Sequence, residues 1–445
     1  MMFYAGTLHL FQPEVAALKG PIHDRSPMKT KDKSKQPKRV HSVRGKSLDF
    51  QSVLAASPEE LSIQQYQQLS RLTDRIGRKG GLDFPLLGLF GEIGSLLSEL
   101  KKKQRDTASY YGYEDSVVEE LGDVLWYFSN LANRAGLSIS EIALQIARTP
   151  AKARSRILQA ADISFASLQP SLRPTRPGTQ EAFETTLMRL AGEAGKLVAD
   201  FSAGRISRKS DLLSSHMYSI FEALIDAANE AHVSLAEAAH RNLQKTFDRW
   251  PGEKIYPPLF DEDYNPAEQI PRHIEMQIFE RTVNNQTYVF LRCNDINIGD
   301  RLTDNKLEKD DYRFHDVFHL AYAAILGWSP VMRALFSVKR KSRPKMDEAE
   351  DGARATLIEE GISTWVFNYA GKLNNFEHLN SLDYGLLKAV RALVSGYEAE
   401  RCPLWLWEEA ILQGYKMFRQ LRKYRGGTII ADLNKRTVTF ERIKK

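Results

Sequence analysis

VVEELGDVLWYFSNLANRAGLSISEIA, residues 117–143, carries its apolar side chains at helical and not strand spacing. Leu121, Val124, Leu125, Phe128 and Leu131 recur every three or four residues, which makes one face of an amphipathic helix, and Gly136 closes it. Ser138 stands three residues before Glu141 and opens a further helix, read over 138–158. Glu120 and Asp123 lie i, i+3 and share a face inside this apolar setting, with Glu119 offset by about 100°.

Upstream, GLFGEIGSLLSELKKKQRD (88–106) is again helical and apolar, yet it keeps Glu92 and Glu99 two turns apart on one face and ends in Lys101, Lys102, Lys103 and Arg105. TASYYGYEDS (107–116) reads as a loop between the two helices. SPEELSIQQYQQLSRLTDRIG (57–77) reads as a capped helix, with Ser57 placed three residues before Glu60 and a second start signal at Ser62. GRKGGLDFP (77–85) is a loop by its Gly and Pro content. Packing the two acidic faces together would gather four carboxylates in an apolar environment, which is costly without a partner. A hard divalent cation, Mg²⁺ with Mn²⁺ as its substitute, would offset that cost, hold phosphates and activate water.

These residues resemble the MazG-like all-alpha nucleoside triphosphate pyrophosphohydrolases over about residues 63–150, with YQQLSRLTDR (66–75) as the lead-in helix. The resemblance implies Mg²⁺-dependent cleavage of a (d)NTP between its α and β phosphates, giving a nucleoside monophosphate and pyrophosphate. It also implies a dimer or dimer-like arrangement of helices. Glu92, Glu120 and Asp123 fall on the family's metal ligands. The second Glu of its first motif falls at Ser95, so Glu99 is the candidate replacement. Glu119 and Glu120 are candidate catalytic bases. Lys102 and Lys103 are candidate phosphate ligands, and Trp126 and Tyr127 candidate walls of a base pocket.

The pattern then recurs. ANRAGLSISEIA (132–143) aligns without gaps to ANEAHVSLAEAA (228–239), and FGEIGSLLSEL (90–100) matches LAGEAGKLVADF (190–201) in its G-E-x-G core. A spacing near 100 residues is domain duplication and not a solenoid repeat. In the second copy Glu193 persists and Asp200 stands in the place of Glu99, but His216 and Ser219 replace Glu120 and Asp123. The second copy, 181–250, is therefore expected to complete the first as an internal pseudo-dimer without its own metal. SLQPSLRPTRPGTQ (167–180) is the expected linker between it and the catalytic unit, 57–166.

From about residue 251 the texture becomes mixed. Strand-like runs flank Asn284-Asn285, helices are expected at 314–327, 350–373 and 404–424, and 426–443 reads as a terminal hairpin. The fold class is thus mainly α: tandem MazG-like four-helix units, then a mixed, mostly helical α+β C-terminal domain at 251–445. That domain's own residues point to no family. RFHDVFHLAY places His315 and His319 at i, i+4, with Asp316 between them and Glu360 downstream, a candidate second metal site. VKRKSRPK (338–345) reads as a solvated basic loop.

The bulk numbers exclude other classes. No run of the 445 residues is long and apolar enough to span a membrane. Two cysteines, Cys293 and Cys402, argue against a disulfide framework and fit a cytoplasmic location. The formal charge of +6 is local: residues 28–46 hold eight Lys or Arg and one Asp, and setting them aside takes 62 basic and 56 acidic residues to 54 and 55. This basic segment, within a tail expected over 1–56, is a nucleic-acid contact only as a lesser reading. Two rival functions remain at this level: a non-catalytic nucleotide sensor or scaffold, and an enzyme whose main site is a metal centre in the C-terminal domain.

Overall fold

The computed structural model describes residues 50–75, 80–148, 163–169, 180–208 and 210–443. The basic segment and most of the expected linker lie outside them. The chain is mainly α-helical, with one small antiparallel sheet in the C-terminal part.

Among the described residues nine helices build the first part: α1 (Phe50–Ala55), α2 (Ile63–Leu72), α3 (Asp83–Asp106), α4 (Tyr113–Ala135), α5 (Ile139–Ala147), α6 (Phe165–Leu168), α7 (Gln180–Ser202), α8 (Asp211–Glu230) and α9 (Leu235–Arg249). Serine caps start several of them. Ser138, Ser210 and Ser234 accept from the backbone three residues on, as expected for 138. At the first helix the start signal is Ser62, which forms a full capping box with Gln65. Ser57 makes no such cap: Pro58–Glu60 is a single 3-10 turn, and the Ser57 hydroxyl bonds Glu59 instead. Helix α4 begins at Tyr113, inside the stretch read as a loop, after a left-handed Gly112. Helix α1 lies where a tail was expected, and stacks Phe50 on Phe247 of α9.

The two copies do not make two separate cores. One hydrophobic core runs from Leu61 to Phe247, with α3 and α4 of the first copy packed on α7, α8 and α9 of the second. Phe128 and Phe221, from α4 and α8, meet with ring centroids 5.2 Å apart. At Gly122 the backbones of α4 and α9 nearly touch. A Cβ there would lie 2.7 Å from the Ala238 carbonyl oxygen and 2.9 Å from Asn242 Cβ. Only glycine permits this approach, and it brings Asn242 against Asp123, the next residue on α4.

The C-terminal part has a core of its own, from Leu259 to Val438. Strands β1 (His273–Val283), β2 (Gln286–Cys293), β3 (Ile296–Leu302), β4 (Gly426–Asp432) and β5 (Thr437–Glu441) form a sheet in the order β3-β2-β1-β4-β5. Both two-residue turns, Asn284-Asn285 and Asn294-Asp295, have positive φ at each position, which suits these residue types and the twist of a hairpin. Against the sheet and beside it pack α10 (Asp316–Ala321), α11 (Pro330–Leu335), α12 (Pro344–Ala349), α13 (Ala353–Gly371), α14 (Tyr384–Leu393) and α15 (Leu404–Tyr424). The stretch expected as one helix at 314–327 is broken: a 3-10 turn leads into α10, which widens into a π turn at Tyr322–Leu326.

The C-terminal part docks on the helical part through α9 and α4. Arg391 pairs with Asp248 at 2.7 Å, Arg249 donates to the Leu382 carbonyl at 2.8 Å, and Lys388 reaches Glu119 at 2.6 Å. The start of α14 is thereby held over the acidic face of α4.

Candidate active site

Glu92 of α3 and Glu120 and Asp123 of α4 each offer a carboxylate oxygen within 4.8 Å of the others. Glu92 hydrogen-bonds to Glu120 and to Ser95, so the serine that stands in the family's glutamate position lies inside the site. Burial, and then the neighbouring Asp123 and Glu92 carboxylates, push Glu120 up to about 8. Burial likewise raises Glu92, with Asp123 adding to it, and raises Asp123 despite the lysine beside it. Three carboxylates held above their ordinary range in one place amount to a site short of positive charge.

Sequence reading did not find what holds Asp123. Its Oδ1 accepts from Asn242 Nδ2 at 2.9 Å, and Asn242 Oδ1 in turn accepts from the buried Tyr66 hydroxyl at 3.1 Å. Its Oδ2 accepts from Lys245 Nζ. Asn242 and Lys245 come from α9, in the second copy. Their signal was available: they follow the aligned ANEAHVSLAEAA by a few residues, on a helix whose partner was expected to complete the site.

The cluster opens into a cavity of about 270 Å³. Phe84, Trp126, Tyr127, Trp250 and Tyr384 give it aromatic walls, Arg75, Lys245 and Arg249 line it as cations, and Glu92 and Asp123 stand at its acidic side. Trp126 is nearly buried, with its indole N–H donated to Thr73 Oγ1 at 2.9 Å and its ring edge-on to Tyr127. The Tyr127 ring packs against Gly88, where a Cβ would meet it. The Lys245 ammonium sits 4.9 Å from the Tyr384 ring centroid. The cavity therefore draws on the first copy, the second copy and the C-terminal part.

Several candidate residues lie elsewhere. Glu99 shares a face with Glu92 but stands about 10 Å further along the axis, seven residues at 1.5 Å each. It is held there by Lys102 at 2.6 Å and by the Tyr110 hydroxyl. Lys102 is thus engaged, and Lys103 lies over the Tyr113 ring at 5.5 Å. Neither lines the cavity, whose cations are Arg75, Lys245 and Arg249. Glu119 is turned away from the three carboxylates and bridges Lys245 at 2.9 Å and Lys388 at 2.6 Å. Burial opposes its charge, but these two lysines overcome that and hold it below the usual range.

In the second copy the matching positions form ion pairs. His216 Nε2 meets Asp200 at 2.7 Å, Asp200 also takes Arg205, and Glu193 takes Lys196 at 2.7 Å. In the C-terminal part, His315, Asp316 and His319 offer ligand atoms within 4.8 Å of one another, and Glu360 approaches both imidazoles.

Comparison with known proteins adds the following. Residues 255–444 match the family model described as the MazG C-terminal domain. This is the part whose residues alone suggested no family. The Gene 37 protein of Mycobacterium phage L5 is 38% identical over 64 residues, which is 14% of this chain and 56% of that protein. The chain thus spans about half the length of this curated relative. No solved structure matches. The similarity to MazG proteins thus lies in the C-terminal part, where the match spans 190 of the 445 residues.

Proposed function

We propose that the chain is a Mg²⁺-dependent nucleotide pyrophosphohydrolase that cleaves a (d)NTP to its monophosphate and pyrophosphate. The observation that carries this reading is the convergence of Glu92, Glu120 and Asp123 at the edge of a cavity walled by aromatic rings and cations. Three hard oxygen donors in a site short of positive charge fit Mg²⁺ or Mn²⁺. Such an ion, when bound, supplies Lewis-acid stabilisation of phosphate charge and an activated water. The chain's residues do the rest. Aromatic faces such as Tyr384 and Trp250 offer stacking for a base. Lys245 and Arg249 lie where polyphosphate charge would fall, and the Lys245 ammonium, fixed between Asp123 and Glu119, gives it a rigid counter-charge. Glu120, whose proton the bound ion would displace, is the carboxylate that would accept a proton from the attacking water. Water oxygen bonds to the α-phosphorus, the bond to the α–β bridging oxygen breaks, and pyrophosphate leaves with that oxygen. The second copy, which gives Asn242 and Lys245 to the site, takes the role that a second subunit plays in the enzymes this chain resembles.

The direct test is to incubate the full chain with each common NTP and dNTP plus Mg²⁺, and to measure monophosphate and pyrophosphate. Stoichiometric release of both from at least one nucleotide is expected. Ser95, where the resemblance calls for a ligand, favours the second reading, a nucleotide sensor. Nucleotide binding by calorimetry with no release from any substrate would establish that one instead.

The carboxylate cluster also fixes a pH dependence. Glu120 binds its proton more tightly folded than unfolded. Its contribution to stability is therefore complete below the ordinary carboxylate pKa, about 4.3, and is lost as pH rises towards about 8. Metal-free protein is expected to lose denaturation midpoint steadily across that window. Mg²⁺ affinity should rise over the same window as the ion displaces the proton. A Mg²⁺ affinity that is flat between pH 5 and 8 would contradict binding at these carboxylates.

A further inference from the structure

We propose that the C-terminal domain carries a second metal centre, for a divalent transition-metal ion such as Zn²⁺, held by His315 Nε2, His319 Nε2, Asp316 and Glu360. It stands independently of the nucleotide reading, because none of these residues lines the acidic cavity.

The argument begins with the buried nitrogen. His319 is wholly buried. Its Nδ1 lies 2.9 Å from Glu359 Oε1, and a carboxylate there requires that Nδ1 carry the proton. Glu359 is itself fixed, accepting from the Ser329 hydroxyl at 2.7 Å and the Val331 N–H at 2.8 Å. The imidazole is therefore locked in orientation, and its other nitrogen, Nε2, has no hydrogen-bond partner. Glu360 Oε1, 3.5 Å away, is beyond good hydrogen-bond reach. Buried polar atoms without a partner are rare, and each asks what it meets in the working molecule.

His315, one turn earlier, repeats the arrangement. Its Nδ1 donates to the Tyr312 carbonyl at 3.0 Å, and the Tyr312 ring stacks on it with centroids 4.4 Å apart. Its Nε2 is left facing Asp316 Oδ1 at 3.4 Å and Glu360 Oε2 at 3.9 Å. Two histidines at i, i+4, each with Nδ1 bound to an oxygen acceptor and Nε2 turned towards a shared point, match the way metal-bound imidazoles are oriented by a hydrogen bond from the nitrogen that does not bind the ion. A surface ion pair would need neither the locked Glu359 nor the empty Nε2.

The donor set selects the ion. Two imidazole nitrogens with carboxylate oxygens suit Zn²⁺ and its transition-metal neighbours, whereas Mg²⁺ and Ca²⁺ prefer all-oxygen sites. The chain would thus separate two metals by donor chemistry, oxygen on α3 and α4 and nitrogen with oxygen on α10 and α13. Glu360 is the accessible member: its side chain is 38% exposed, against 0% for His319, so the centre faces solvent on that side.

The test uses the full chain carrying Asp123→Asn, which removes a carboxylate from the acidic cluster. The protein is stripped with a chelator and titrated with Zn²⁺ by calorimetry, then with Co²⁺ as a visible-absorbing probe. One Zn²⁺ per chain is expected, and Co²⁺ should give absorption bands of a nitrogen-and-oxygen site. His315→Ala and Glu360→Gln should each weaken Zn²⁺ binding, and Glu359→Gln, which removes the carboxylate that orients His319 and is not itself a ligand, should weaken it by about 10–100-fold. Should His315→Ala lose its helical signal, Glu360→Gln, at the exposed edge, carries the test alone. Failure of the Asp123→Asn chain to bind Zn²⁺, or undiminished binding in Glu360→Gln, would overturn the proposal.

Discussion

Asp123→Asn is expected to cut pyrophosphate release by at least about a hundredfold while leaving the helical fold in place. The magnitude follows from position. Loss of a residue that merely orients a metal ligand costs about 10–100-fold, so loss of the ligand itself belongs at or beyond the upper end. The fold should survive because burial already works against the Asp123 charge. Asparagine keeps the side chain's shape, and its carbonyl oxygen still accepts from Asn242 Nδ2. What changes is the ligand: an amide is a weaker donor to a hard cation, and Lys245 loses one of its two carboxylates and keeps Glu119. The assay is initial-rate pyrophosphate release at several Mg²⁺ concentrations, with circular dichroism on the same samples. A loss that high Mg²⁺ partly restores would place the defect in metal binding. Turnover equal to the parent's would remove Asp123, and with it the three-carboxylate cluster, from the chemistry.

How much of this site could be read from the sequence depends on what periodicity measures. Spacing along a helix gives the face of a residue. It placed Glu120 and Asp123 together correctly, because they belong to adjacent turns of one helix. A shared face was not enough for Glu99: it points the same way as Glu92 but stands two turns further along the axis, and it closes on Lys102 and Tyr110 instead. Lys102 and Lys103, further along the same helix, lie away from the cavity for the same reason. Lys245, Arg249 and Tyr384 could not be placed from local pattern at all, since they reach the cavity only through the packing of α9 and α14 on α4. The repeat alignment came nearest: it pointed to residues 181–250 as the partner of the acidic helices, and the structure has that segment sharing one core with them and delivering Asn242 and Lys245. Strand and helix positions in the C-terminal part were legible where residue types fit their geometry, as at Asn284-Asn285. The π turn after His319 was not, because nothing in an apolar run distinguishes it from a regular helix.

The basic loop VKRKSRPK shows the opposite failure, and it carries the largest expected effect on stability. All five of its charges read as solvated, yet Arg340 has no exposed surface. Its guanidinium forks onto Asp351 at 2.7 Å and Glu398 at 2.8 Å, and its own backbone N–H donates to Asp351 Oδ2. Arg333, 1% exposed, completes the network from the other side at 3.5 Å from Asp351 and 2.9 Å from Asp261. Charge composition cannot reveal this, because Asp351 is 11 residues and Glu398 58 residues away in the chain. Arg340→Ala leaves two buried carboxylates short of their main cation, a change that costs about 3–5 kcal/mol. The expected result is a fall of roughly 10 °C in the unfolding midpoint of the C-terminal part, on the scale of about 2–4 °C per kcal/mol for a domain of this size. Arg340→Lys should recover little, since a single ammonium cannot serve both carboxylates as a planar fork does. Replacing Asp351 and Glu398 with apolar residues in the Arg340→Leu background should recover much of the loss, because the cost lies in stranded charge and not in missing volume. An Arg340→Ala midpoint within a degree of the parent would mean that water reaches these carboxylates, and the network would then be a surface feature.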